Sequence, residues 1–207
     1  PTHTDRRFFI MATQAQRRAE TIRAIVAAAR GLFGSDGFAA TTIDRIAAAA
    51  GVAKGAVYHH FAAKDEIFER VLDTVQGELA AGTAKAAWGA KSPVEAIERG
   101  TRAFLKACTA PEVRRILLFD GPAVLGWKRW REIDEAHFSA LLAASIAELR
   151  RSSPDTRGAR ALTRLLLGAV TEAALACASA AEAGEDADAA VALHMRALSL
   201  LLAGASG

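Results

Sequence analysis

Little in this chain points to covalent or metal chemistry. Its 207 residues hold two cysteines, Cys108 and Cys177. Neither sits in a CxxC pair or a histidine cluster, which excludes a disulfide framework and a zinc site and points to a reducing compartment. No HExxH, P-loop, dinucleotide fingerprint or nucleophile–base pair is present, so an enzyme reading has nothing to rest on, and no metal or cofactor is expected. Strand-like alternation and fixed-period repeats are missing too, which argues against β-rich and solenoid folds. Without a signal-peptide pattern or an uninterrupted apolar run of about 18 residues, a soluble cytoplasmic protein is expected. Charge of one sign is also scarce: 26 Lys and Arg against 23 Asp and Glu leave a net +3. A balance of that size identifies no partner by itself.

What is present is hydrophobicity, 52% of the residues, and much of it is alanine, as in Ala47–Ala50. Alanine costs least to hold in a helix, and only five prolines interrupt the chain, so an all-α fold of about nine helices is predicted. Residues 1–12 show no helical period and are expected to form a disordered leader or arm, with Met11 a second candidate start of translation. Ile22, Ile25, Val26, Ala29, Leu32 and Phe33 recur at three and four and predict the first helix, stopped by Gly34 and the turn Ser35-Asp36-Gly37. Thr41 is read as the N-cap of a short helix through Ile43, Ile46 and Ala47, with Asp44 in its first turn and Gly51 at its end. A third short helix spans about Lys54–Phe61. A long one starts at Lys64 and carries Ile67, Phe68, Val71, Leu72, Val75 and Leu79 on one stripe.

Beyond a boundary placed near residue 80, Ser92-Pro93-Val94-Glu95 reads as a capping box opening a helix to about Ala110. Pro111 restarts a shorter helix, Gly121-Pro122 separates it from one spanning roughly Leu125–Arg151, and Ser153-Pro154 caps the next. The last two helices, about Asp155–Ala183 and Asp186–Ala203, meet at Gly184 and are expected to lie antiparallel.

Two short helices about a glycine turn, flanked by longer ones, have the spacing of a helix-turn-helix at about 42–61. The run Gly37-Phe38-Ala39-Ala40-Thr41-Thr42-Ile43-Asp44-Arg45-Ile46-Ala47, then Gly51-Val52-Ala53-Lys54-Gly55-Ala56-Val57-Tyr58-His59-His60-Phe61 and Lys64, resembles the tetracycline-repressor (TetR) family over about residues 19–79. The resemblance implies a DNA-binding module at 13–79 and an effector-binding and dimerisation domain at 80–207. It also implies a double-stranded operator, a homodimer, and transcriptional repression. Within it, the helix Lys54–Phe61 enters the major groove. Gly55 and Ala56 let the backbone approach the DNA, and Lys54 meets phosphate or a guanine edge. Tyr58, His59, Thr41, Thr42 and Lys64 are the phosphate candidates, and the arginine-rich start of the chain is a candidate to follow the backbone. Val57, His60 and Phe61 are read as packing residues. Where relatives often place proline and a serine-like cap, this chain has Ala62-Ala63, which predicts a looser start to the helix at Lys64.

In the C-terminal half local chemistry carries the reading. Phe104, Cys108, Phe119, Trp127, Trp130, His137 and Phe138 are candidates to line an apolar effector pocket, and equally candidates for plain core. Leu162, Leu166, Ala169 and Ala173 on one helix, with Val191, Met195, Leu198 and Leu202 on the other, form stripes that family analogy assigns to a dimer interface. An intramolecular core accounts for the same pattern. A helical scaffold without DNA binding is the rival function, and it would leave Lys54, Tyr58 and Lys64 dispensable.

Overall fold

The computed structural model describes residues 3–150 and 155–205, with side chains described in 14–150 and 155–204. Every regular element among them is helical. The chain divides into two compact units, Pro1–Val71 and Leu72–Gly207, each described here by itself.

The first unit is built on α1 (His3–Ala40), α2 (Ile43–Ala50), α3 (Lys54–His60) and the opening turns of α4 (Lys64–Ala87). α1 takes in residues that show no helical period in sequence. Its regular path breaks at Gly37, where φ is 84°, and not at Gly34. Only a residue without Cβ adopts that angle cheaply, whereas Gly34 keeps ordinary helical torsions and so stops nothing. Ile25, Ala29, Phe33, Ile46, Val57, Ile67 and Phe68 are fully buried. Phe33, Phe38 and Phe68 meet with ring centroids 5.2–5.7 Å apart.

α2 ends in a Schellman turn: Val52 N–H donates to Ala47 O at 3.0 Å and Gly51 N–H to Ala48 O at 3.2 Å. α4 lacks the expected cap, but Glu66 Oε2 accepts from Ala62 N–H at 2.7 Å. The carboxylate thus supplies the reach-back contact of a capping box and ties the segment before the helix to its first turn, while the first-turn N–H groups that a serine would serve gain nothing from it.

The second unit begins inside α4, earlier than the boundary near residue 80, because from Leu72 onward α4 serves a different neighbour: Asp73 Oδ1 lies 2.8 Å from His137 Nε2 of α7. α5 (Pro93–Cys108) opens as predicted, with Ser92 Oγ accepting from Glu95 N–H at 3.1 Å and Pro93 in the first turn. α6 (Pro111–Val113) runs into a π-helical turn, Arg114–Asp120, and then α7 (Gly121–Leu149). The expected separation at Gly121-Pro122 is absent. Pro122 fits the first turn of a helix, where its missing N–H is harmless, and the break falls at Gly126, with φ 75°.

α8 (Thr156–Glu182) is capped by Asp155, whose Oδ1 accepts from Gly158 N–H at 2.8 Å. The predicted cap at Ser153-Pro154 lies outside the described residues, as do Pro1, Thr2 and Arg151. α9 (Ala187–Ala205) follows the turn at Gly184, φ 78°. α5 packs on α7, α8 and α9, and α8 packs on both α7 and α9.

Candidate nucleic-acid interface and ligand cavity

In the first unit, α2 and α3 present one polar surface. Thr42, not Thr41, is the N-cap of α2: its Oγ1 accepts from Arg45 N–H at 3.3 Å and the side chain stays exposed. Thr41 is fully buried and donates its hydroxyl to Gly37 O at 2.8 Å, closing the end of α1. It therefore leaves the set of phosphate candidates. Two adjacent threonines gave the sequence no means of telling an inward from an outward hydroxyl.

Lys54, Gly55, Tyr58 and His59 are exposed together on α3 and Ala56 is half-buried, while Val57 and Phe61 are buried. A Cβ added at Gly55 would meet nothing within 4 Å. The protein itself does not require glycine there, which leaves the surface free for a close external approach. Lys54 Nζ donates to Asp44 Oδ2 at 3.0 Å, a pairing that raises its pKa, first by the hydrogen bond and then by the carboxylate charge. The exposed ammonium is thus held across the α2–α3 corner and not left to wander. His60 is half-buried, its pKa lowered first by burial and then by the charges of His59 and Arg18. It packs edge-on against His59 at 5.0 Å.

Lys64 is also corrected. Its Nζ donates to Phe38 O and Thr41 O, both at 2.7 Å, and lies 4.0 Å above the Phe38 ring. The ammonium closes the end of α1 onto α4 and is unavailable as a surface phosphate ligand. Lys64→Met should therefore lower stability by about 2 kcal/mol, since two carbonyls lose a charged donor. The salt slope of DNA binding should stay unchanged, as read from thermal unfolding beside a salt titration. A slope reduced by about one, with no thermal loss, would return Lys64 to the DNA surface.

In the second unit, α4, α5, α7 and α8 enclose a cavity of about 290 Å³, at the low end of the range for small-molecule sites. Of the seven sequence candidates only Phe104 and Phe138 line it, and they touch edge to face at 5.1 Å. Cys108 is buried elsewhere in the core, its thiol pKa raised first by burial. Phe119 is half-buried off the cavity, and His137 is held by Asp73. Trp130 is buried, donating Nε1–H to Leu117 O at 2.8 Å, and Trp127 stacks on it while remaining 62% exposed.

Residues the sequence reading missed complete the wall, Ile97, Thr101, Asp134, Leu142 and Thr171 among them, together with Trp88, which belongs to the same aromatic-rich stretch of sequence as the seven candidates. A usable signal existed for two. Thr101 lies among Ile97, Phe104 and Leu105, and Asp134 between Ile133 and Phe138, so each is a polar residue set into an apolar stripe. Asp134 is 4% exposed. Its Oδ2 pairs with Arg131 at 3.2 Å, and Arg131 also reaches Glu135 at 3.4 Å. Burial is the main cause that pushes the Asp134 pKa up to about 6, against the opposing charge of Arg131.

The predicted dimer stripes are in large part core. Leu166, Val191, Met195, Leu198 and Leu202 are each under 7% exposed, and Leu162, Ala169 and Ala173 are half-buried. One position round α8, Ala161, Leu165, Gly168 and Leu175 are exposed. On α9 the exposed residues include Ala189, Leu193, Ala197, Leu200 and Gly204. Leu165 and Leu200 reach 71% and 77% exposure. Among the described residues nothing lies within 4 Å of a Cβ added at Gly168 or Gly204.

Two family descriptions match. Residues 25–71 fit "Bacterial regulatory proteins, tetR family", and residues 94–205 fit "Tetracyclin repressor-like, C-terminal domain". The chain is 30% identical to a TetR-family transcriptional regulator from Pectobacterium atrosepticum of known structure. That match covers 91% of this chain and 95% of the other, with a TM-score of 0.75. It is 31% identical over 107 residues to the HTH-type transcriptional regulator AcrR of Shigella flexneri, a match spanning 51% of this chain and 49% of that one. The chain thus aligns with about half the length of that curated relative. The fatty acid degradation regulator FadR from Bacillus halodurans shares the fold, with a TM-score of 0.68 and 16% identity over 84% of this chain and 92% of that one.

Proposed function

The chain belongs to the tetR family of DNA-binding transcriptional regulators, a family of regulators and not of enzymes, and from that premise we propose a cytoplasmic repressor that sits as a homodimer on a palindromic operator and leaves it when a small apolar or aromatic effector enters the second unit. The observation that carries the DNA half is the exposed set Lys54, Gly55, Tyr58 and His59 on one short helix, with Lys54 fixed by Asp44 and the buried side of that helix formed by Val57. Lys54 and Tyr58 supply donors to phosphate, and Gly55 admits the DNA backbone.

The exposed leucines of α8 and α9 support a homodimer. Both helices carry a stretch of about 18 residues, long and apolar enough to cross a membrane, of which 33% and 22% are buried within the chain. An apolar surface of this kind, threaded with glycine and alanine, fits a second copy of itself. A cavity whose lining includes Thr83, Ala84 and Ala87 of α4, with Trp88 just beyond its end, supports the release step. α4 continues back to Lys64, which clasps Phe38 and Thr41 of the DNA-binding unit. A ligand that shifts the last turns of α4 would thereby alter the spacing of two recognition helices that must match two half-sites.

Electrophoretic shift against DNA from upstream of the chain's own gene tests the reading. Lys54→Ala and Tyr58→Phe should each weaken binding by about tenfold, with the salt slope lowered by about one for Lys54→Ala. Gly55→Leu should cost more, about a hundredfold, through steric exclusion of the backbone. Thermal stability should hardly move, since all three sites are exposed. Unchanged affinity in all three variants would sink the proposal.

A further inference from the structure

The cavity of the second unit has an electrostatic character that an apolar pocket need not have. Among its lining residues Asp134 is the one ionisable side chain. No lysine, arginine or histidine faces the space. Arg131, the partner of Asp134, is outside the lining, is shared with Glu135 and also donates to Thr171 Oγ1 of the wall at 3.4 Å. Two carboxylates therefore divide one guanidinium, and of the three residues Asp134 is the one that lines the cavity. The remaining walls are apolar or aromatic, including Trp88, Phe104 and Phe138, whose ring faces attract cations as readily as alkyl groups. The hydroxyls at hand belong to Thr83, Thr101, Ser145 and Thr171. Thr171 already gives its proton to Leu167 O, and Thr83 Oγ1 is buried without a partner among the described residues.

Resting on the reading of this cavity as the effector site, we propose that the effector is a small amphipathic amine, its ammonium set against Asp134 and its hydrocarbon or aryl body against Phe104, Phe138 and Leu142, and that Asp134 excludes anionic ligands. An anion entering this space would meet a carboxylate at close range in a medium of low polarity, with no cation on the wall to answer it. An ammonium gains a charge-assisted hydrogen bond where it is least screened.

Three probes of one shape and different head group separate the outcomes: 4-phenylbutylamine, 4-phenylbutan-1-ol and 4-phenylbutyrate, titrated by calorimetry into the full-length protein. The amine should bind at least about tenfold more tightly than the carboxylate, with the alcohol between. In Asp134→Asn the gap should shrink to within about threefold, with the alcohol little changed. The wild-type ranking stands as a test even if that variant folds poorly. A carboxylate that binds as well as the amine overturns the proposal and leaves the effector site in place. A preference for the amine that survives in folded Asp134→Asn overturns the role of Asp134. If none of the three binds, or if Ile97→Trp, which fills the cavity, leaves binding of the amine intact, the effector-site reading fails and this inference fails with it.

Discussion

Replacing Leu165 and Leu200 together by glutamate should convert the protein to a monomer of 21.8 kDa and abolish operator binding. These leucines are 71% and 77% exposed within one chain, so their removal costs the isolated fold little, within about half a kcal/mol for each surface position. In a dimer built on α8 and α9, four leucines per assembly lose their burial at about 1.5–2 kcal/mol each, before any cost of placing carboxylates in the seam. The dissociation constant should therefore rise by about four to six orders of magnitude. Sedimentation equilibrium at micromolar concentration reads the mass, and thermal unfolding confirms that each chain remains folded. The informative contrast is Leu166→Ala, one position round the same helix. Leu166 is 4% exposed, so its loss should act on stability, by about 2–5 kcal/mol, in monomer and dimer alike. A double variant that keeps the dimer mass would remove the exposed stripe as the interface.

The second large effect is expected at Gly121. A Cβ there would stand 2.8 Å from Trp130 Cδ1 and 3.0 Å from both Trp130 Nε1 and Ile116 O. The indole has no room to yield, being 1% exposed and tied to Leu117 O. Ile116 O is backbone, so the strain falls on the π-helical turn itself. Gly121→Val should destabilise by about 3 kcal/mol, a fall in Tm of about 6–12 °C for a chain of this size. Trp130 also reports the change. Of the three tryptophans, Trp88 and Trp127 are 85% and 62% exposed, so blue-shifted, quencher-resistant emission belongs to Trp130 and should be lost. Trp130→Ala removes the atoms in conflict, so combining it with Gly121→Ala should cost less than the sum of the two single changes. Full additivity would mean that the close approach is not what fixes glycine at 121.

These two cases show where sequence reasoning succeeds and where it stops. Period, caps and turn residues act locally, so the helices, the Ser92-Pro93 start of α5, the Gly51 turn and the Gly184 hairpin were all legible. The exposed residues of α3 proposed to face DNA were legible as a group, because Gly55 with Lys54, Tyr58 and His59 forms a pattern in which each residue type has its own physical task. Where two neighbouring residues competed for one local role, the choice was open. Thr41 and Thr42 both suit an N-cap, Gly34 and Gly37 both suit a stop, and Gly121 and Gly126 both suit a break.

By itself, then, the sequence determined an all-helical chain with an N-terminal helix-turn-helix and the face of α3 turned outward. Tertiary structure decided three other matters, each set by groups distant in the chain. Lys64 turned inward because the carbonyls of Phe38 and Thr41 needed a donor. The cavity took Phe104 and Phe138 but passed over Trp127, Trp130 and His137, because a void is defined by what four helices leave unfilled and not by the aromatic content of any one of them. On α8 and α9 apolar residues run round most of the circumference, so a period of 3.6 identified the helices without saying which stripe each would bury. Packing against α5 and α7 chose Leu166 over Leu165, and so left outside the leucines that a second copy is proposed to cover.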